Sequence, residues 1–164
     1  MPAKNDHAFT LIELIVVISL LGVMLFFAVP RIHESFFSSG TRKLSAWLQL
    51  QVKDLKNQAV ENQTQFILFV DVDENRLWAG RHDMAEPALE AAKSKGLSLS
   101  GTNRFSEVVF AGDHRISAGT AHIRFYPRGY SDQAVIYVQT RGNKRISYEI
   151  NPFLPDIKTG GSHG

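Results

Sequence analysis

FTLIELIVVISLLGVMLFFAVP, Phe9 to Pro30, is 22 residues long and carries a single charge, Glu13, near its N-terminal end. As a helix rising about 1.5 Å per residue it would span about 33 Å, against about 30 Å for the hydrocarbon of a bilayer. A soluble domain does not expose such a run, and a strand does not need its length. The stretch therefore predicts a membrane helix. Glu13 sets it apart from a plain anchor. An acidic residue at a helix centre costs about 2.5–3.5 kcal/mol to insert. Near the end the cost is smaller, but the carboxylate still needs the headgroups or a partner. Eight residues, MPAKNDHA, precede the run, with Lys4-Asn5-Asp6-His7 as their polar part. A secretory signal has a shorter apolar core, with its small-residue cleavage site behind it. Here the core is longer, and Ala8-Phe9 stands before it.

Ala8-Phe9-Thr10-Leu11-Ile12-Glu13-Leu14 resembles the cleavage and methylation signature of type IV pilins and type II secretion pseudopilins. The resemblance implies a prepilin peptidase that cuts between Ala8 and Phe9 and methylates the new amine of Phe9. It makes Glu13 the fifth residue of the mature chain and an assembly residue, and Pro30 the helix-bending proline. The residue before the cut is usually glycine; here it is alanine. The resemblance also sets the orientation, with the leader cytoplasmic and the rest periplasmic. Lys4, offset by Asp6, does not fix it.

The chain has 164 residues, enough outside the apolar run for one domain with its own core. Its formal net charge of +2 is too small to argue for nucleic acid. It has no cysteine, which an oxidising compartment permits. The expected organisation is a leader over 1–8, a transmembrane helix over 9–30, its amphipathic continuation over 31–61, a periplasmic β domain over 62–157 and a flexible tail over 158–164.

Leu44, Leu48, Val52, Leu55 and Ala59 recur at steps of three and four, the stripe of a helix lying on a core. Arg42, Lys43, Lys53, Asp54 and Lys56 fall largely off that line, and Gly40 reads as a kink. With the apolar run this predicts one helix of about 50 residues, far above the usual length. Six or so strands follow. Gln65–Val72 turns back at Asp73-Glu74-Asn75, and Pro87 opens a short helix in a charged insertion. Phe105–Phe110 turns at Gly112-Asp113, then comes Thr120–Tyr126. Ala134–Thr140 and Arg145–Asn151 form a hairpin across Gly142-Asn143. The fold class is α+β: a long N-terminal helix, membrane-spanning in its first half, on an antiparallel β-sandwich-like domain. The stretch IRFYPRGYSDQAVIYVQTRGNKRISYEIN, with Phe125-Tyr126-Pro127-Arg128-Gly129 ending a strand before a hairpin, resembles the C-terminal half of H-type minor pseudopilins.

Little in the sequence points to bond-making chemistry. Asp71-Val72-Asp73-Glu74-Asn75 imitates half of a calcium loop, but Arg76 and His82 stand where that loop needs glycine and glutamate. The six histidines form no i, i+4 pair, and no nucleophile elbow is present. No enzyme activity, metal or cofactor is expected. Arg124, Arg128, Arg141, Lys144 and Arg145 read first as a solvated rim and second as a nucleic-acid patch. The resemblance implies a minor pseudopilin of the inner membrane, a structural subunit of the secretion pseudopilus or its tip. Its partners would be other major and minor pseudopilins, the peptidase and the inner-membrane assembly platform, and not nucleic acid. The alternative is a minor pilin of a type IV pilus that captures DNA or a surface ligand.

Overall fold

A computed structural model describes residues 11–21 and 39–162. The Ala8–Phe9 junction, Pro30 and the stretch between the two helical pieces lie outside the described residues. The expected single helix is therefore described as two pieces belonging to separate compact units. The first piece, α1 (11–21), exposes every side chain; the Ser19 hydroxyl donates to the Ile15 carbonyl at 2.8 Å. Among the described residues no helix is long and apolar enough to cross a membrane.

The second unit opens with α2 (Ser39–Glu61). Its stripe is the one the spacing predicts: Leu44, Leu48, Val52, Leu55 and Ala59 are all buried, while Arg42, Lys43, Lys53 and Asp54 face solvent. The kink expected at Gly40 falls at the edge of the described residues, where Gly40 is the second residue of α2. A Cβ there would stand 2.7 Å from Asn103 Nδ2, so glycine allows close approach of the loop before β4. The helix stops where Gln63 takes a left-handed φ of 48° and the Asn62 N–H donates to Gln58 O at 2.9 Å.

Among the described residues nine strands follow α2: β1 (Phe66–Asp71), β2 (Arg76–Arg81), β3 (Leu97–Ser98), β4 (Arg104–Phe110), β5 (Arg115–Ile116), β6 (Thr120–Phe125), β7 (Ala134–Gln139), β8 (Arg145–Ile150) and β9 (Lys158–Ser162). They form two antiparallel sheets, ordered β3-β2-β1-β6 and β5-β4-β7-β8-β9. Alternation turns one face of each sheet toward a shared core. Leu68, Val70, Ile123 and Phe125 from the first, and Val108, Ile136, Tyr148 and Ile150 from the second, join the α2 stripe in one core. Tyr148 is wholly buried, and its hydroxyl donates to Thr41 O at 3.3 Å; burial raises its pKa above the ordinary phenol value.

The expected six or so strands miss the two-residue β3 and β5 and the whole of β9. The segment expected as a flexible tail over 158–164 instead pairs with β8 over Lys158–Ser162, Glu149 facing Lys158 and Arg145 facing Ser162. Backbone pairing needs no apolar alternation, so KTGGS gives no sign of it. Gly160 lies so close over Ser147 that a Cβ would meet its Oγ at 2.7 Å. The insertion holds α3 (Glu86–Ser94), with Pro87 in its first turn as expected. It covers the outer face of the first sheet, where Met84 and Leu89 lie over Gly80 and Trp78 stacks on Phe69 at 5.2 Å.

Candidate assembly site

Of the residues singled out for processing and assembly, Glu13 lies on α1, exposed like its neighbours; Ala8, Phe9 and Pro30 lie outside the described residues. In the domain, the carboxylates that imitate a calcium loop are spent on the turn. Asp71 accepts from the Glu74 N–H at 2.8 Å and from the Thr120 hydroxyl at 3.0 Å, and Asp73 accepts from the Gly119 N–H at 2.8 Å. Together they tie the β1–β2 turn to the start of β6. Among the described residues no three His, Asp or Glu side chains could hold a metal.

The basic residues that cluster in sequence are divided between the two sheets. Arg124 belongs to β6 in the first sheet, whereas Arg141, Lys144 and Arg145 lie at the β7–β8 connection of the second. Arg145 pairs with Glu107, its guanidinium 3.7 Å from the centre of the Tyr137 ring. Arg124 stands 3.7 Å from Asp132. Lys56, expected off the buried stripe, is itself buried. Its ammonium donates to the carbonyls of Asn151, Pro152 and Leu154, fixing the segment after β8 against α2. One step of four from Val52, it sits at the margin of the apolar stripe, and spacing alone does not say which way a margin residue turns.

A groove of about 470 Å³ lies between the sheets, along the β6 edge. Phe110, His114 and Ile116 form one side and Thr120, His122 and Arg124 the other. His122 meets Phe69 edge-on at 4.9 Å; burial, then the Arg124 charge, holds its pKa below the ordinary imidazole value. Two crossings between sheets make this groove. The chain passes from β5 to β6 through 117–119 and from β6 to β7 through 126–133. No sequence motif marks it, because its walls are strands of two different sheets joined by crossings.

Residues 3–29 match the family model described as the prokaryotic N-terminal methylation motif. Among solved structures, the chain is similar to the minor pseudopilin EpsH of the type 2 secretion system of Vibrio cholerae, with a TM-score of 0.52 and 11% identity over 74% of this chain and 95% of that one. A second structure of the same Vibrio cholerae protein gives a TM-score of 0.47 and 10% identity over 66% of this chain and 93% of that one. None of the curated proteins matches the chain significantly. An N-terminal methylation motif and the fold of a minor pseudopilin thus occur together in one chain.

Proposed function

We propose that a chain joining this motif to this fold is a minor pseudopilin, a structural subunit of the type II secretion pseudopilus or its tip that aids protein export across the outer membrane. The observation that carries the reading is the joining itself: the methylation motif covers residues 3–29, and a domain with a fold similar to that of a minor pseudopilin follows it. In this reading the 9–30 helix holds the protein in the inner membrane by a single pass, with the domain in the periplasm. A prepilin peptidase cuts after Ala8 and methylates Phe9. The positive amine of Phe9 on one subunit then pairs with Glu13 on its neighbour. A buried charge deprived of its partner costs about 3–5 kcal/mol, so pairing sets the register in which major and minor subunits add on the assembly platform. Pro30 bends the helix between membrane and domain. The reading needs no cofactor. The scatter of the basic residues over two sheets weighs against a pilin that captures DNA.

Mass spectrometry of the membrane-extracted protein tests the first step. It should find a chain beginning at N-methylated Phe9. An intact Met1 in cells with active peptidase would overturn the reading.

A further inference from the structure

The edge of β6 is half closed. The Arg124 N–H donates to Asp132 Oδ2 at 3.0 Å, and the Arg124 carbonyl accepts the Asp132 N–H at 2.8 Å. Both backbone groups of Arg124 therefore point away from β1. Backbone direction in a strand repeats every second residue. Thr120 and His122 thus present their N–H and C=O outward as well, while Ala121 and Ile123 serve β1 opposite Val70 and Leu68. The chain's own Tyr130–Asp132 covers the far end of this edge in antiparallel sense, with Tyr126 N–H bonding Tyr130 O at 2.8 Å. It then leaves for the second sheet, where the Gln133 carbonyl accepts the Ala111 N–H. The near end of β6, Thr120 to Ile123, faces the groove.

Folded proteins block open edges with lysine, proline or a bulge because an open edge templates another strand. Thr-Ala-His-Ile carries none of these. We propose that this half-edge is a slot that accepts one extended, acidic segment of a sister subunit, added as an antiparallel strand along Thr120–Ile123 in line with Tyr130–Asp132. At about 3.3 Å per residue, four residues span about 13 Å. The connection 117–119 stands at one end and Tyr130–Asp132 at the other, which leaves room along the edge for one short strand. Phe110 and Ile116 line the side facing β6 and suit an apolar side chain. Charge selects the rest. Asp132 is engaged by the Arg124 N–H and the Tyr126 hydroxyl, and the Arg124 guanidinium is 3.7 Å from it with 49% of its side chain exposed. That guanidinium and the His114 ring are placed to meet a carboxylate on the incoming strand. The sister subunit as the source rests on the pseudopilin reading; the open edge does not.

The test places a photo-crosslinking residue at Gln133 of the full chain in cells and identifies the attached peptide by mass spectrometry. Links should fall on an extended segment of another subunit bearing the methylation motif. His122→Pro removes the N–H aimed at the groove together with the imidazole, at a position where an edge strand accepts proline. It should reduce the links about tenfold, the equivalent of about one hydrogen bond, and by more than His122→Ala, which loses the same imidazole but keeps the N–H. Amide exchange needs no variant: the His122 amide should exchange fast in the detergent-solubilised protein and slowly in the assembled state. A slow amide in the free protein, equal links in both variants, links only to a second copy, protection by DNA, or no links at all would each overturn the slot. If the slot fails while Phe9 is methylated and the subunit enters filaments, the pseudopilin reading stands. An unmethylated Phe9 would overturn the sister-subunit source along with that reading.

Discussion

Lys56 spends all three of its ammonium protons on carbonyls, those of Asn151, Pro152 and Leu154 at 2.7, 3.0 and 2.6 Å, with 8% of the residue exposed. Lys56→Met keeps the length and packing of the side chain but removes three hydrogen bonds from a charged donor, while Pro152 O keeps the Ser131 N–H at 3.1 Å. A hydrogen bond to a charged group contributes about 1.5–3 kcal/mol, so urea unfolding should show a loss of about that size. His122 gives a pH prediction. Burial, and then the charge of Arg124, lower its folded pKa below the ordinary 6.5. The unfolded chain therefore takes up the proton first as pH falls. Stability that is complete above the ordinary imidazole value is lost below it, until the folded form also protonates. Thermal unfolding at pH 7 and pH 5 should show a smaller drop for His122→Gln than for the parent. A larger drop in the variant would mean that the sign is wrong.

Among the elements, α2 has the sharpest two faces. Leu48 is fully buried and Leu50, two residues on, is 72% exposed. Leu48→Ala should cost about 2–5 kcal/mol, and Leu50→Ala should stay within about 0.5 kcal/mol. Equal losses at the two positions would show that the stripe is misassigned. This face was legible in the sequence because burial repeats at helical spacing. The turns were legible too, since Gly112-Asp113 and Gly142-Asn143 all take the positive φ that their residue types favour. What escaped reading has a common cause. β9 pairs through its backbone and shows no side-chain period. Lys56 looks polar in a sequence and is buried only because carbonyls almost a hundred residues away converge on it. The β6 groove is bounded by crossings between sheets, which no local pattern encodes.

For the molecule as a whole, Glu13 separates an anchor from an assembly part. If the 9–30 segment only anchors, Glu13→Leu should work as well or better, since leucine inserts more easily. If Glu13 pairs with a neighbouring amine, the variant should insert and be cleaved, yet crosslink poorly to sister subunits and secrete less in a complemented deletion strain. Wild-type crosslinking and secretion would remove the pairing mechanism. The grip of Lys56 on residues 151–154 has a consequence for how the protein is made. Those carbonyls leave the ribosome 95 to 98 residues after the lysine that holds them. At about 5–20 residues per second, α2 waits about 5–20 s for them. Early in that interval β1 supplies Leu68 and Val70 to Leu44, Leu48, Val52 and Leu55, but Ile136, Tyr148 and Ile150 come last, so the helix completes its core only when its last strands are translated.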